Sequence, residues 1–140
     1  MSLLSRKSLL AVAAVIDVAL HARGRLVSAK DLAARHSLPP RHLEPVLQAL
    51  VRDGILKGVR GPRGGYELAR ERKRISVEDI LRAAGASENG NGEPPTGSAL
   101  LQQAVIPAIA QAEKVFVNAL TRITVEDLAR RAEPFRDTTN

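Results

Sequence analysis

Cysteine is absent from this 140-residue chain. Disulfides, thiolate nucleophiles, thiolate-ligated iron–sulfur clusters and cysteine-type zinc sites all need a residue it does not have. The redox compartment stays open. Aromatic residues make up only 2%, with no tryptophan, so a core must be built from Ala, Leu, Val and Ile, and such cores suit helices. Histidine is scarce too: His21, His36 and His42. None is expected to share a metal-type spacing with another, or with a carboxylate on a matching face. His21 and His36 are expected to end their helices or pack at the surface. The serines offer no nucleophile–base–orienter set. No catalytic residue, metal ligand or cofactor is therefore assigned, and an enzyme is not expected.

What the chain does have is positive charge. Lys and Arg total 21 against 15 Asp and Glu, a formal net charge of +6. A basic balance favours polyanionic partners, nucleic acid or an anionic membrane face. The N-terminal segment MSLLSRKSLLAVAAVIDVALHA has the outline of a signal peptide, with Arg6 and Lys7 ahead of an apolar run. Asp17 interrupts that run, and Leu20-His21-Ala22 makes a poor cleavage site. The run is also too short and too charged to span a bilayer. A cytoplasmic protein without membrane contact is the expectation.

Apolar residues recur at helical spacing from Ser8 to Ala22, and Leu10, Val15 and Val18 make the opposite side apolar as well. A helix apolar on two faces is buried on both, so a partner beyond the domain core is expected. Gly24 is expected to end it. Ser28, followed by Asp31, has the form of an N-cap for a second helix with Leu32 and Ala33 inward. Pro39-Pro40 forces a break and suits the first turn of a third helix, Pro40 to Asp53. Its inward face is Leu43, Val46, Leu47 and Leu50. Arg41, His42, Glu44, Gln48 and Arg52 point outward, and Gly54 follows the end. Two short helices joined by a tight turn form the helix-turn-helix pattern. Pro45 lies past the first turn, where a proline costs about 3 kcal/mol. Either the regular helix starts later than Pro40 or its first turn is bent.

Two short strands follow, Ile55 to Arg60 and Tyr66 to Leu68, flanking Gly61-Pro62-Arg63-Gly64-Gly65. Glycine supplies positive φ and proline presets a bend, so this is a hairpin, placed as the wing of the helix-turn-helix. It is no Walker loop, because Gly65 leads into Tyr66 and a strand rather than into a Lys-Ser/Thr pair and a helix. Arginines at such a tip can enter a minor groove or pair with phosphates. Arg70, Arg72, Lys73 and Arg74 form the densest basic cluster, equally readable as a solvated turn or a phosphate patch.

A fourth helix, Ile75 to Gly85, is capped by Ser76 with Asp79. Ala86 to Ser98 is small, polar and rich in turn formers, and is expected to be a flexible loop. Beyond it Val105, Ile109, Ala112, Phe116, Ala119 and Ile123 alternate steps of four and three, a seam pattern. Pro107 marks a helix start or a kink. The closing ITVEDLARRAE echoes ISVEDILRAAG, because each pairs a hydroxyl N-cap with acids at the positive end of a helix dipole. The expected organisation is a winged helix-turn-helix over 1–85, a loop over 86–98 and a helical dimerisation region over 99–140. The fold class is mainly α with a small β-hairpin wing and a long C-terminal dimerisation helix.

The stretch LPPRHLEPVLQALVRDGILKGVRGPRGGYELAR, Leu38 to Arg70, resembles the signature of the Rrf-two family of bacterial winged-helix transcription regulators. AVAAVIDVAL in the first helix and NALTRITVEDL near the C-terminus extend the likeness over most of the chain. The resemblance implies a homodimer in which a long C-terminal helix crosses to its twin. It also implies a recognition helix in the major groove and a wing arginine in the minor groove. By position Glu44 corresponds to the acidic base-reader, able to accept from a cytosine amino group, and Arg60 to the wing arginine. Arg41 and His42 occupy neighbouring contact positions with different residue types. Sensory members carry three cysteines in the loop before the dimerisation helix. Here that loop is ASENGNGEPPTGS, with neither cysteine nor histidine, so redox or nitric-oxide sensing through a cluster is not expected. Leu10 stands where an aromatic is common, and Pro45 replaces a helix-friendly residue.

The expected function is sequence-specific binding of double-stranded DNA by a cluster-free homodimer that regulates transcription. Candidate DNA contacts are Ser28, Pro40, Arg41, His42, Glu44, Gln48, Arg60, Arg63 and Gly64. Two alternatives stay open. One is a winged helix whose basic tip binds an acidic protein. The other is a regulator controlled by a small molecule held between the fourth helix and the dimer helices. Operator, effector and direction of regulation are not written in the sequence.

Overall fold

The computed structural model describes residues 5–21, 25–85 and 98–136. Helices α1 (Arg6–His21), α2 (Ala29–Arg35) and α3 (Pro40–Arg52) come first, then strands β1 (Leu56–Val59) and β2 (Gly65–Leu68). Helices α4 (Val77–Gly85), α5 (Ile106–Thr121) and α6 (Val125–Ala132) follow. The mainly helical winged architecture expected from the sequence is present. The expected helix end at Gly24 and, apart from Ser98, the expected loop over 86–98 lie outside the described residues.

Helix α1 starts two residues before Ser8, because Ser5 Oγ accepts the Ser8 backbone N–H at 3.0 Å and caps the first turn. Its residues Ala11, Ala14, Val15 and Val18 are fully buried. The second apolar face, for which an outside partner was expected, is covered largely by α4 and α6 of the same chain. Leu9 stays 46% exposed.

Ser28 Oγ accepts the Asp31 N–H at 3.0 Å and caps α2. The turn to α3 passes through Ser37, whose φ of 53° lies in the left-handed region. Helix α3 does begin at Pro40, and Pro45 sits inside it. The His42 N–H reaches back to the Pro39 carbonyl at 3.0 Å, so the first turn is tightened. Pro45 is exposed and gives no N–H to the Arg41 carbonyl one turn earlier. The inward face of α3 is as expected, with Leu43, Val46, Leu47 and Leu50 at 0–1% exposure. Full burial of a leucine is worth about 1.5–3 kcal/mol, which fixes which side of α3 faces out. Gly54, just past the helix, takes φ 75°, which a side chain would resist.

The strands pair antiparallel in the register Leu56↔Leu68, Lys57↔Glu67, Gly58↔Tyr66 and Val59↔Gly65. The first strand is one residue shorter at each end than expected, and the second starts one residue earlier. Val27 adds an antiparallel bridge on the outer edge of β2: its N–H donates to the Tyr66 carbonyl at 3.0 Å, and its carbonyl accepts the Tyr66 N–H at 2.7 Å. The wing is thereby fixed to the segment leading into α2.

The two echoing segments lie side by side. Ser76 and Thr124 form an antiparallel bridge, with the Val77 N–H on the Ile123 carbonyl and the Val125 N–H on the Ile75 carbonyl, both at 2.8 Å. Each hydroxyl caps its own helix: Ser76 with Asp79 at 3.0 Å in both directions, Thr124 with Asp127 at 3.1 and 3.0 Å. Val125 and Ala129 of α6 join the core cluster of α1 and α4. Helix α5 buries no residue. A π-type turn, Leu101–Val105, leads into it, with the Ile106 N–H bonded to the Leu101 carbonyl. Pro107 has no N–H to offer Gln103, so the helical register slips just before it.

Candidate nucleic-acid interface

Helix α3 turns Arg41, His42, Glu44, Pro45 and Gln48 to the outside, opposite its buried leucines. Arg60 and Arg63 are exposed at the wing tip. A groove of about 480 Å³ runs between α3 and the wing and brings together Ser28, Gln48, Arg60 and Gly64. Arg41 and His42 face a second groove, of about 850 Å³, shared with Arg6 and Lys7 at the start of α1. Arg63 borders neither groove and stands at the tip. Pro40 is exposed and supplies the first helical position of α3.

Among the described residues, the side chains of Arg41, Glu44, Gln48, Arg60 and Arg63 make no hydrogen bond or ion pair. Other arginines are occupied. Arg35 holds Asp17, Arg82 holds Glu78 and Asp79, and Arg130 holds Glu126. The free cations of α3 and the wing thus face water, where an approaching polyanion meets them without breaking internal pairs. Ser28 Oγ has one acceptor site committed to Asp31 and keeps its O–H to donate.

Gly64 has a reason to be glycine that is independent of any ligand. A Cβ there would lie 2.1 Å from the Val59 carbonyl oxygen, so the tip closes only without a side chain. The basic cluster after the wing divides in two. Arg70 bonds the Gly54 carbonyl at 3.1 Å and approaches Asp79 at 3.7 Å. Arg72 donates to the Ala19 carbonyl and approaches Glu126. These two tie elements together, while Lys73 and Arg74 are exposed.

The sequence reading missed two things. Arg6 and Lys7 entered it as the charged start of a leader-like segment, yet they flank the same groove as Arg41 and His42. Adjacent cations opening a helix that packs on a helix-turn-helix were the available signal. The histidine reading was also incomplete. His21 and His36 do end α1 and α2. However, His21 lies one turn after Asp17 on the same face, with Nδ1 3.2 Å from Oδ1, and His36 Nε2 lies 3.1 Å from Oδ2. Asp17 is 7% exposed and binds Arg35 at two points, 2.6 and 2.9 Å. Burial would push its carboxyl up. Hydrogen bonds from His36 and Arg35 and the charges of Arg35 and His21 outweigh that and hold it at about 2.

The family model described as "Rrf2: Iron-dependent Transcriptional regulator" matches residues 4–131. The chain belongs to the Rrf2 family. A protein of Synechocystis sp. named as an HTH-type transcriptional regulator is 36% identical over 126 residues, covering 89% of this chain and 86% of the relative. The regulator IscR of Vibrio cholerae is 30% identical over 123 residues, covering 84% and 71%. The solved structure of T. potens IscR superposes with a TM-score of 0.73 at 30% identity, covering 98% of this chain and 93% of that one. The structure of CymR, the global cysteine regulator of B. subtilis, gives 0.70 at 27%, covering 94% and 98%. The chain spans about half the length of several curated relatives it matches, including one from Haemophilus influenzae that is 42% identical over 80 residues. These relatives are named as transcriptional regulators and not as enzymes.

The Rrf2 description speaks of iron. The donor set here does not fit a thiolate-held cluster: the chain has no cysteine. Among the described residues, no group of three or more His, Cys, Asp or Glu is placed to hold a metal ion. Among those residues, too, no helix is long and apolar enough to cross a membrane.

Proposed function

We propose that this chain is a sequence-specific DNA-binding transcription regulator that acts as a homodimer and carries no iron–sulfur cluster. The observation that carries the reading is the set of exposed, unengaged polar side chains on α3 and the wing, with Gln48 of α3 and Arg60 of the wing meeting at one groove. Arg41, His42, Glu44 and Gln48 serve as the major-groove readers, with Ser28 and Pro40 at the adjoining helix starts. Arg60, Arg63 and Gly64 form the wing finger. Affinity comes largely from arginine and lysine on phosphate, so it falls steeply with salt.

The dimer rests on α5. Ile109, Val115 and Val117 are 57%, 68% and 41% exposed, and the helix packs on its own chain chiefly through α4. An apolar helix of this length left in water is a surface for association. The seam Val105, Ile109, Ala112, Phe116, Ala119 and Ile123 gives it a twin of the same pattern. Residues 1–85 then form the reader and 99–140 the dimerising part, with α6 folded back onto α1.

Genome-wide capture of DNA fragments bound by the full chain tests the reading. A recurrent palindromic motif with half-sites about one helical turn apart, or a multiple of it, is the expected result. Absence of any enriched sequence would leave the protein-binding alternative.

A further inference from the structure

A cleft of about 440 Å³ opens between α1, the end of α2 and α6, on a different set of residues from the proposed DNA interface. Its size falls within the range of small-molecule pockets. Ile16 and Leu20 from α1 and Leu128 from α6 give it an apolar wall. Its charges do not cancel. Asp17 is consumed by Arg35 and His36, and Arg136 pairs with Glu133 at 3.2 Å. Arg131 also lines the cleft and makes no hydrogen bond or ion pair among the described residues. His21 spans the cleft's end, Nδ1 on the Asp17 carbonyl at 3.0 Å and Nε2 on the Arg136 carbonyl at 2.9 Å.

We infer that this cleft binds a small organic monoanion, a carboxylate carried on a compact apolar body such as a phenyl ring or short alkyl chain. The apolar wall takes the body, and the uncompensated Arg131 guanidinium takes the carboxylate in a two-point hydrogen bond. A cation would meet Arg131 and the histidines. A neutral apolar molecule would gain nothing from that guanidinium, which is exposed and would stay hydrated. The apolar groove of about 610 Å³ between α4 and α5, lined by Ile109 and Phe116, is a weaker candidate, because it lies on the seam assigned to the twin.

The location gives the site a consequence. Arg35 and His36 end α2 and lead through Ser37 into α3, so a ligand held against them bears on the turn that sets the angle of the reading helix. Occupancy therefore shifts operator affinity, and operator shifts ligand affinity by the same factor. This coupling rests on the DNA-binding reading; the binding itself does not.

Calorimetric titration of the full chain with phenylacetate and hexanoate, against uncharged phenylacetamide, tests the site. One carboxylate per chain is expected, with the amide weaker by about tenfold or more. R131Q should weaken the carboxylates by a similar factor at unchanged melting temperature, and R130Q should not. L128W, which fills the cleft, should abolish binding. No heat from either carboxylate at millimolar concentration, equal binding of the amide, or full binding by R131Q would overturn the site. Binding that leaves affinity for a captured operator unchanged would keep the site and overturn its coupling. Carboxylate binding by a chain that captures no DNA would sink the regulator reading alone.

Discussion

Asp17 Oδ1 lies 2.6 Å from Arg35 Nη2, and Asp17 Oδ2 lies 2.9 Å from Arg35 Nε, a two-point clasp between the first and second helices. It joins the core helix to the helix-turn-helix at the residue before the turn begins. Asp17→Asn keeps the shape but removes the charge. Asparagine keeps one acceptor oxygen but presents an NH2 donor in place of the other, so Arg35 and His36 can no longer both be satisfied in a largely buried place. The expected cost is about 2–3 kcal/mol, read by urea unfolding.

The same pair makes stability depend on pH. The folded-state pKa of Asp17, about 2, is below its ordinary value of 3.8. A depressed carboxyl stabilises fully above the unfolded value and loses that contribution as pH falls through the folded one. Wild-type stability should therefore drop by about 2 kcal/mol for this group between about pH 4 and pH 2. Chemical unfolding at several pH values should show Asp17→Asn lacking that part of the slope.

Ser76→Ala and Thr124→Ala each remove one half of a reciprocal cap. Each should cost about 1 kcal/mol in thermal or denaturant unfolding. The backbone bridge between the two positions survives both changes, so the fold should persist.

Ile109→Asp places a carboxylate on the seam at a position 57% exposed in the single chain. The fold should hold, and sedimentation should show a dimer for the wild type and monomers for the variant. Operator affinity should fall with it, since two half-sites are no longer held together.

Arg60→Ala should weaken operator binding by about 1–3 kcal/mol if the side chain reads a groove. Replacing Glu44 should instead relax base preference at one position of the half-site. Quantitative binding to a library of operator variants separates the two effects. A Glu44 variant with an unaltered motif would remove it from base reading.

Local signals were the legible part of this chain. The alternation of leucines in α3 fixed its inner and outer faces, and serine and threonine caps marked three helix starts. The glycine-rich tip announced the wing because few residues can close a hairpin so tightly. Distant pairings left no local trace. Asp17 could be seen as a charge in an apolar run, but its partners Arg35 and His36 arrive only after a turn and a second helix. The likeness of ISVEDILRAAG to ITVEDLARRAE was visible, yet nothing in either segment says they lie against each other. Nor could adjacency sort Arg70 and Arg72, spent on carbonyls and acids, from exposed Lys73 and Arg74. Pro45 marked a disturbance whose form, a tightened first turn, depends on the two prolines before it.

The bridge between Ser76 and Thr124 sets the start of α6 beside the start of α4, so α5 is an excursion whose return adjoins the core helix it left behind. Lengthening or trimming that excursion would leave the threshold untouched. In the proposed dimer, descendants of this chain could therefore vary the reach of α5, and with it the separation of the paired readers, without rebuilding the helix-turn-helix and wing.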